Sequence, residues 1–103
     1  MAFHKAIAAA EIPLGDKRGV VIDGREVVVF HAEDGFHAFA DRCPHLGAPL
    51  SEVGFVKGEE ILCVLHCAKF ALATGRVLAS PAEEDLESYA CRVDRGIVWV
   101  DLP

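Results

Sequence analysis

The stretch "DRCPHLGAPLSEVGFVKGEEILCVLHCAKF", residues 41–70, carries a Cys-x-His triplet at Cys43 and His45 and a Cys-x-x-His quartet at Cys63 and His66. Each short segment offers one thiol and one imidazole. Small structural zinc sites usually place two cysteines close together and two histidines likewise, so the mixed pairing discriminates. Two metal designs use such a donor set. One is a tetrahedral zinc with two sulfurs and two nitrogens. The other is a two-iron, two-sulfide cluster in which one iron takes both cysteines and the other both histidines. In the second design each loop has to reach across both metals, and the interleaved order suits that requirement. A third reading, unconnected core cysteines and surface histidines, needs two paired coincidences.

The surroundings of the two segments read as short strands between turn signals, the pattern of an all-β domain. Asp23-Gly24 joins "RGVVI" to "EVVVFH", and Asp34-Gly35 joins that strand to "FHAFAD". Both dipeptides favour the left-handed dihedrals of tight hairpins. Thr74-Gly75 separates "KFALA" from "RVLAS", and Arg95-Gly96 separates "SYACRVD" from "IVWVDL", where Ile97 and Trp99 alternate with Val98 and Val100. Only residues 80–88, "SPAEEDLES", have helical character, with Ser80 as N-cap and Pro81 at the first position. The paired cysteines and histidines therefore flank turns, and two loops of one β-domain can meet around a metal.

Bulk properties narrow the function. A chain of 103 residues with 52% hydrophobic composition supports one domain, residues 1–103, with one modest core. A formal net charge of −6 argues against nucleic acid or an anionic membrane as a partner and for a basic protein surface. The apolar patch at Ala6 to Ala10 is cut short by Glu11 and Pro13, far below the roughly 20 residues of a spanning helix. A cytoplasmic protein without membrane attachment is expected, with its cysteines kept as thiolates. Nothing resembles a nucleophile with a base, a phosphate loop or an open metal position, so a carrier without a small-molecule substrate is expected, as a monomer.

"CPHLGAPLSE", "CVLHCAKF" and "ATGRV" together resemble the Rieske ferredoxins, above all the small ones that serve bacterial aromatic-ring dioxygenases. The resemblance spans nearly the whole chain. It implies an all-β fold, an antiparallel sheet base with a small cluster-binding subdomain of two loops at one tip. It implies one Rieske-type [2Fe-2S] cluster, with Cys43 and Cys63 on the inner iron and His45 and His66 on the outer one. Leu46, Gly47, Cys67 and Ala68 are then candidates to offer backbone N–H groups to the cluster. Leu46, Pro49, Leu65 and Pro81 are candidates to shield it, with Pro81 in a covering "SPA" segment. The docking surface is expected at His45, His66, Leu46 and Pro49, with the acidic run Glu83 to Glu87 steering encounter.

Departures from the family's respiratory members indicate the subclass. Those proteins carry a disulfide at the positions of Ala48 and Leu65, and hydroxyl donors at the positions of Ala68 and Phe70. Without those donors the potential is expected toward the low end of the roughly −150 to +300 mV range of such centres. The resemblance thus implies an electron shuttle between an NADH-dependent flavoprotein reductase and a terminal oxygenase in aromatic hydrocarbon catabolism. The alternative is an electron-transfer subunit of a nitrite reductase or a multicomponent aromatic monooxygenase. Cys91 reads as a small buried hydrophobe, and His4, His31 and His37 as surface or hydrogen-bonded residues.

Overall fold

The computed structural model describes residues 2–43, 47–64, 68–79 and 84–103. His45, Leu46, Leu65, His66, Cys67, Pro81, the rest of Ser80–Ala82 and Glu83 lie outside the described residues. The chain begins with β1 (Ala2–Ala8) and a 3-10 turn at Ala9–Glu11, followed by the meander β2 (Lys17–Ile22), β3 (Arg25–Ala32) and β4 (Gly35–Ala40). A single helical turn, α1 (Leu50–Val53), precedes a second meander of β5 (Gly54–Lys57), β6 (Glu60–Cys63), β7 (Ala68–Ala71) and β8 (Val77–Ala79). Three strands, β9 (Ser88–Tyr89), β10 (Cys91–Asp94) and β11 (Ile97–Leu102), close the chain.

These strands form three antiparallel sheets of order β1-β11-β10, β2-β3-β4-β9 and β5-β6-β7-β8. The β2-β3-β4-β9 sheet is the middle layer, because its side chains enter two separate cores. Successive residues of a strand point to opposite faces. Val28, Phe30 and Ala32 of β3 accordingly pack with β6 and β7, while Val27 and Val29 pack with Val98, Val100 and Leu102 of β11. Phe39 and Ala38 of β4 divide in the same way. Burying each Val or Phe contributes about 1.5–3 kcal/mol, which is why a strand covered on both faces reads as an unbroken apolar run.

The hairpin signals at Asp23-Gly24 and Arg95-Gly96 hold: φ is +50° and +81° at the first pair, +53° and +78° at the second. At Asp34-Gly35 the turn differs from expectation. Ala32 pairs with Gly35, so Glu33 and Asp34 are the turn residues, and only Gly35 has positive φ. Asp34 instead accepts a 2.8 Å hydrogen bond from His37 Nε2, which lowers its carboxyl pKa.

The "SYACRVD" run divides into two strands. Tyr89 pairs with Ala38 in the middle sheet, Cys91 pairs with Val100 in the outer one, and the Ala90 carbonyl between them accepts from Asp101 N. Helical character within residues 80–88 is not borne out among the described ones: 84–87 are irregular and Ser88 opens β9. The helical turn lies at Leu50–Val53, where full burial of Leu50 supplies what local propensity does not. Among the described residues no helix is long and apolar enough to cross a membrane.

Candidate metal centre

The first loop leaves the end of β4 and returns through α1 to β5. Cys43 lies three residues beyond the end of β4 and is fully buried. Two short hydrogen bonds shape the turn: Cys43 N donates to Ala48 O at 2.8 Å, and Gly47 N to Cys43 O at 2.7 Å. Gly47 has φ +74°, a conformation glycine adopts without the strain a Cβ brings. Its N–H is thus taken by the loop itself. Pro49 is half-buried and stands at the start of α1, where its carbonyl accepts from Glu52 N and Val53 N.

The second loop opens at the end of the β6–β7 hairpin. Cys63 is fully buried and pairs with Gly54 on one side and Ala68 on the other. Val64 N donates to Val53 O at 2.9 Å, so the start of this loop is bonded to the end of the helical turn that completes the first. Cys63, Ile61, Ala68 and Phe70 all face inward and are fully buried. Cys43 joins them in one core with Val28, Phe30 and Leu50.

This arrangement fits a [2Fe-2S] group with two thiolate donors. Such a group needs two cysteines delivered together away from water, and the fold brings Cys43, just beyond β4, and Cys63, at the end of β6, to one core. Ala68 and Phe70, on the strand after Cys63, present no hydroxyl in this core. The acidic run is divided in its use: Glu84 and Glu87 are exposed, Leu86 is buried, and Asp85 Oδ1 accepts from Val77 N at 2.8 Å. Arg25, Glu26, Asp41, Arg42, Pro49 and Tyr89 are among the residues that line a groove of about 400 Å³. The Tyr89 hydroxyl there has a raised pKa, from burial first and its hydrogen bond to Glu87 second.

The remaining candidates have structural partners. His31 Nδ1 donates to Ile12 O at 2.7 Å and the ring stacks on Phe36. Cys91 is half-buried and its thiol donates to Phe36 O at 2.9 Å, while burial pushes its pKa up to about 11. Sequence reasoning missed Asp41 and Ser51, whose side chains meet beneath the first loop. A carboxylate two residues before a candidate ligand cysteine is a signal only once its partner, ten residues away, is known.

The Rieske [2Fe-2S] domain model matches residues 2–90. The ferredoxin component of a naphthalene 1,2-dioxygenase system from Pseudomonas aeruginosa is 36% identical over 97 residues, covering 94% of this chain and 92% of the relative. Among solved structures, the ferredoxin-oxygenase complex of carbazole 1,9a-dioxygenase matches with TM-score 0.84 and 33% identity over 95% of this chain and 91% of that one. A Mycobacterium tuberculosis protein assigned as an NADH-dependent nitrite reductase small subunit matches with TM-score 0.83 and 29% identity over 96% and 93%.

Proposed function

Because the chain belongs to the Rieske [2Fe-2S] family, we propose that it is the ferredoxin of an aromatic-ring dioxygenase system, taking single electrons from an NADH-dependent flavoprotein reductase and delivering them to a terminal oxygenase. Its cofactor is one Rieske-type [2Fe-2S] cluster, which when bound accepts and returns one electron. The observation that carries the reading is the convergence of two fully buried cysteines, Cys43 just beyond β4 and Cys63 at the end of β6, in one core. Full-length likeness to a dioxygenase ferredoxin supports the choice of system.

In this reading Cys43 and Cys63 hold the inner iron, His45 and His66 the outer iron, and the histidine side is the exit for the electron. Val28, Phe30, Leu50, Ile61 and Phe70 exclude water from the thiolate side. Low solvent access and the absence of hydroxyl donors at Ala68 and Phe70 both favour a low potential. Partners meet the loop tip around Pro49, with transient contacts of small area.

Stopped-flow mixing tests the function. The holoprotein should be reduced by the flavoprotein reductase and reoxidised by the terminal oxygenase, and should carry iron and acid-labile sulfide in the ratio of one [2Fe-2S] cluster. Stoichiometric zinc without iron would refute the cluster. Transfer to a nitrite reductase catalytic subunit, but not to an oxygenase, would establish the second reading, which the likeness to the nitrite reductase small subunit supports.

A further inference from the structure

Among the described residues Asp41 is the only polar or charged side chain that is buried, with 9% of its surface exposed. A buried carboxylate is costly unless its oxygens are hydrogen-bonded. Both are. Oδ1 accepts from Ser51 N at 2.7 Å and Oδ2 from Ser51 Oγ at 2.6 Å. Asp41 N is itself fixed to the middle sheet, donating to Glu26 O of β3 at 3.0 Å. The Ser51 N–H lies in the first turn of α1, where amides have no partner within the helix and where Pro49 supplies no side-chain cap. Asp41 thereby caps a helical turn from ten residues upstream and joins the two ends of the loop that contains Cys43.

A third residue completes the contact. Gly19 of β2 stands so close that a Cβ there would lie 2.8 Å from Ser51 Oγ and 2.9 Å from Asp41 Oδ2. Any side chain at this position forces the pair apart. Within the closed loop, the Cys43-to-Ala48 and Gly47-to-Cys43 hydrogen bonds fix the turn. These bonds are made within the chain and hold Cys43, Gly47 and Ala48 in place.

We propose that Asp41, Ser51 and Gly19 form a latch that keeps the first ligand loop closed, and that this latch, apart from the stability of the fold, sets how slowly the cluster is lost. These are positioning residues, and the proposal rests on the reading of Cys43 and His45 as ligands. Opening the latch frees the Cys43 segment to leave the metal while the core around Ile12, Val98 and Val100 stays packed.

The test follows bleaching of the holoprotein's visible absorbance by an iron chelator, well below the unfolding temperature, together with the thermal midpoint of each variant. Ser51→Ala and Asp41→Ala should each lose the cluster at least about tenfold faster, since hydrogen bonds to a charged group are involved. The double variant should be no faster than Asp41→Ala alone, because the two side chains act as one unit. Asp41→Asn, which keeps one acceptor, should recover part of the parental lifetime. Ile12→Ala, in the other core, should lower the midpoint without hastening loss. Parental rates in Ser51→Ala and Asp41→Ala, full additivity in the double variant, or equal acceleration by Ile12→Ala would each overturn the latch. If Asp41→Ala does not fold, Ser51→Ala, which removes a single hydroxyl, decides alone. Cys43→Ser checks the premise separately: a full cluster in that variant refutes the ligand reading, whatever the latch does.

Discussion

The two cores share one sheet and differ in what fills them. The core between the middle and outer sheets is closed by Ile12, Ile22, Val27, Val29, Val98, Val100 and Leu102, an all-aliphatic set that needs nothing beyond burial. The core on the other face of the same sheet contains two cysteines, Cys43 and Cys63, placed where its packing meets the two loops. One core is closed by aliphatic burial alone, whereas the other also carries the two thiols that the proposed function assigns to the cluster. In that reading an aliphatic base lies beneath a metal-holding tip, which leaves the tip free to be shaped for electron exchange while β1, β10 and β11 keep the fold.

The largest expected effect tests that division directly. Cys43→Ser or Cys63→Ser should abolish cluster incorporation and cost the β5–β8 half its amide protection, because metal binding is coupled to local order. Hydrogen exchange should leave β1 and β11 protected; loss of protection there would break the comparison.

Next comes a contrast between tip and base. Pro49→Glu should slow both electron transfers by about tenfold, the lower end of what local charge does to association rates, with the absorption spectrum intact. Val21→Glu, at a 70% exposed position of β2, should leave both rates unchanged in stopped flow. Equal effects at the two positions would move the docking surface away from the loops.

In the aliphatic core, Ile12→Ala should cost about 2–5 kcal/mol of unfolding free energy in denaturant titrations while the cluster spectrum is retained. Ile12 is 1% exposed, so little relaxation can soften the cavity. At the cluster core, Ala68→Ser and Phe70→Tyr should raise the midpoint potential by roughly tens of millivolts each, a hydrogen bond of about 1 kcal/mol expressed for one electron. Voltammetry that shows both potentials falling would disprove hydroxyl loss as the source of a low potential.

The smallest effect concerns Cys91. Its thiol pKa is raised from 9.0 to about 11 in the folded chain, chiefly by burial. Above pH 9 the unfolded chain releases this proton while the folded one keeps it, so stability falls as pH rises from 9 toward 11. Cys91→Ala should flatten that decline in unfolding titrations and leave the cluster in place.

Much of this was legible in the chain itself. Alternation within "IVWVDL", the turn pairs Asp23-Gly24 and Arg95-Gly96, and the mixed cysteine-histidine spacing depend only on neighbours in sequence, and the first two reappear in the structure. Local signals failed where a distant contact decided. Leu50–Val53 is helical because Leu50 is buried and Asp41 caps its first turn, neither of which shows in "PLSEV". The β5 strand, Gly54–Lys57, went unread because four residues between turns give too short a period to detect, and pairing with β6 creates it.

By itself the sequence determined the all-β class and the family, and it proposed the donor set, since these depend on residue type and short-range spacing. Only the tertiary structure decided that β3 is buried on both faces, that "SYACRVD" divides between two sheets at Ala90, and that Asp41 reaches Ser51 beneath the cysteine loop. Those outcomes depend on which surfaces are pressed together once entropy has been lost to closing long loops, and no window along the chain records that choice.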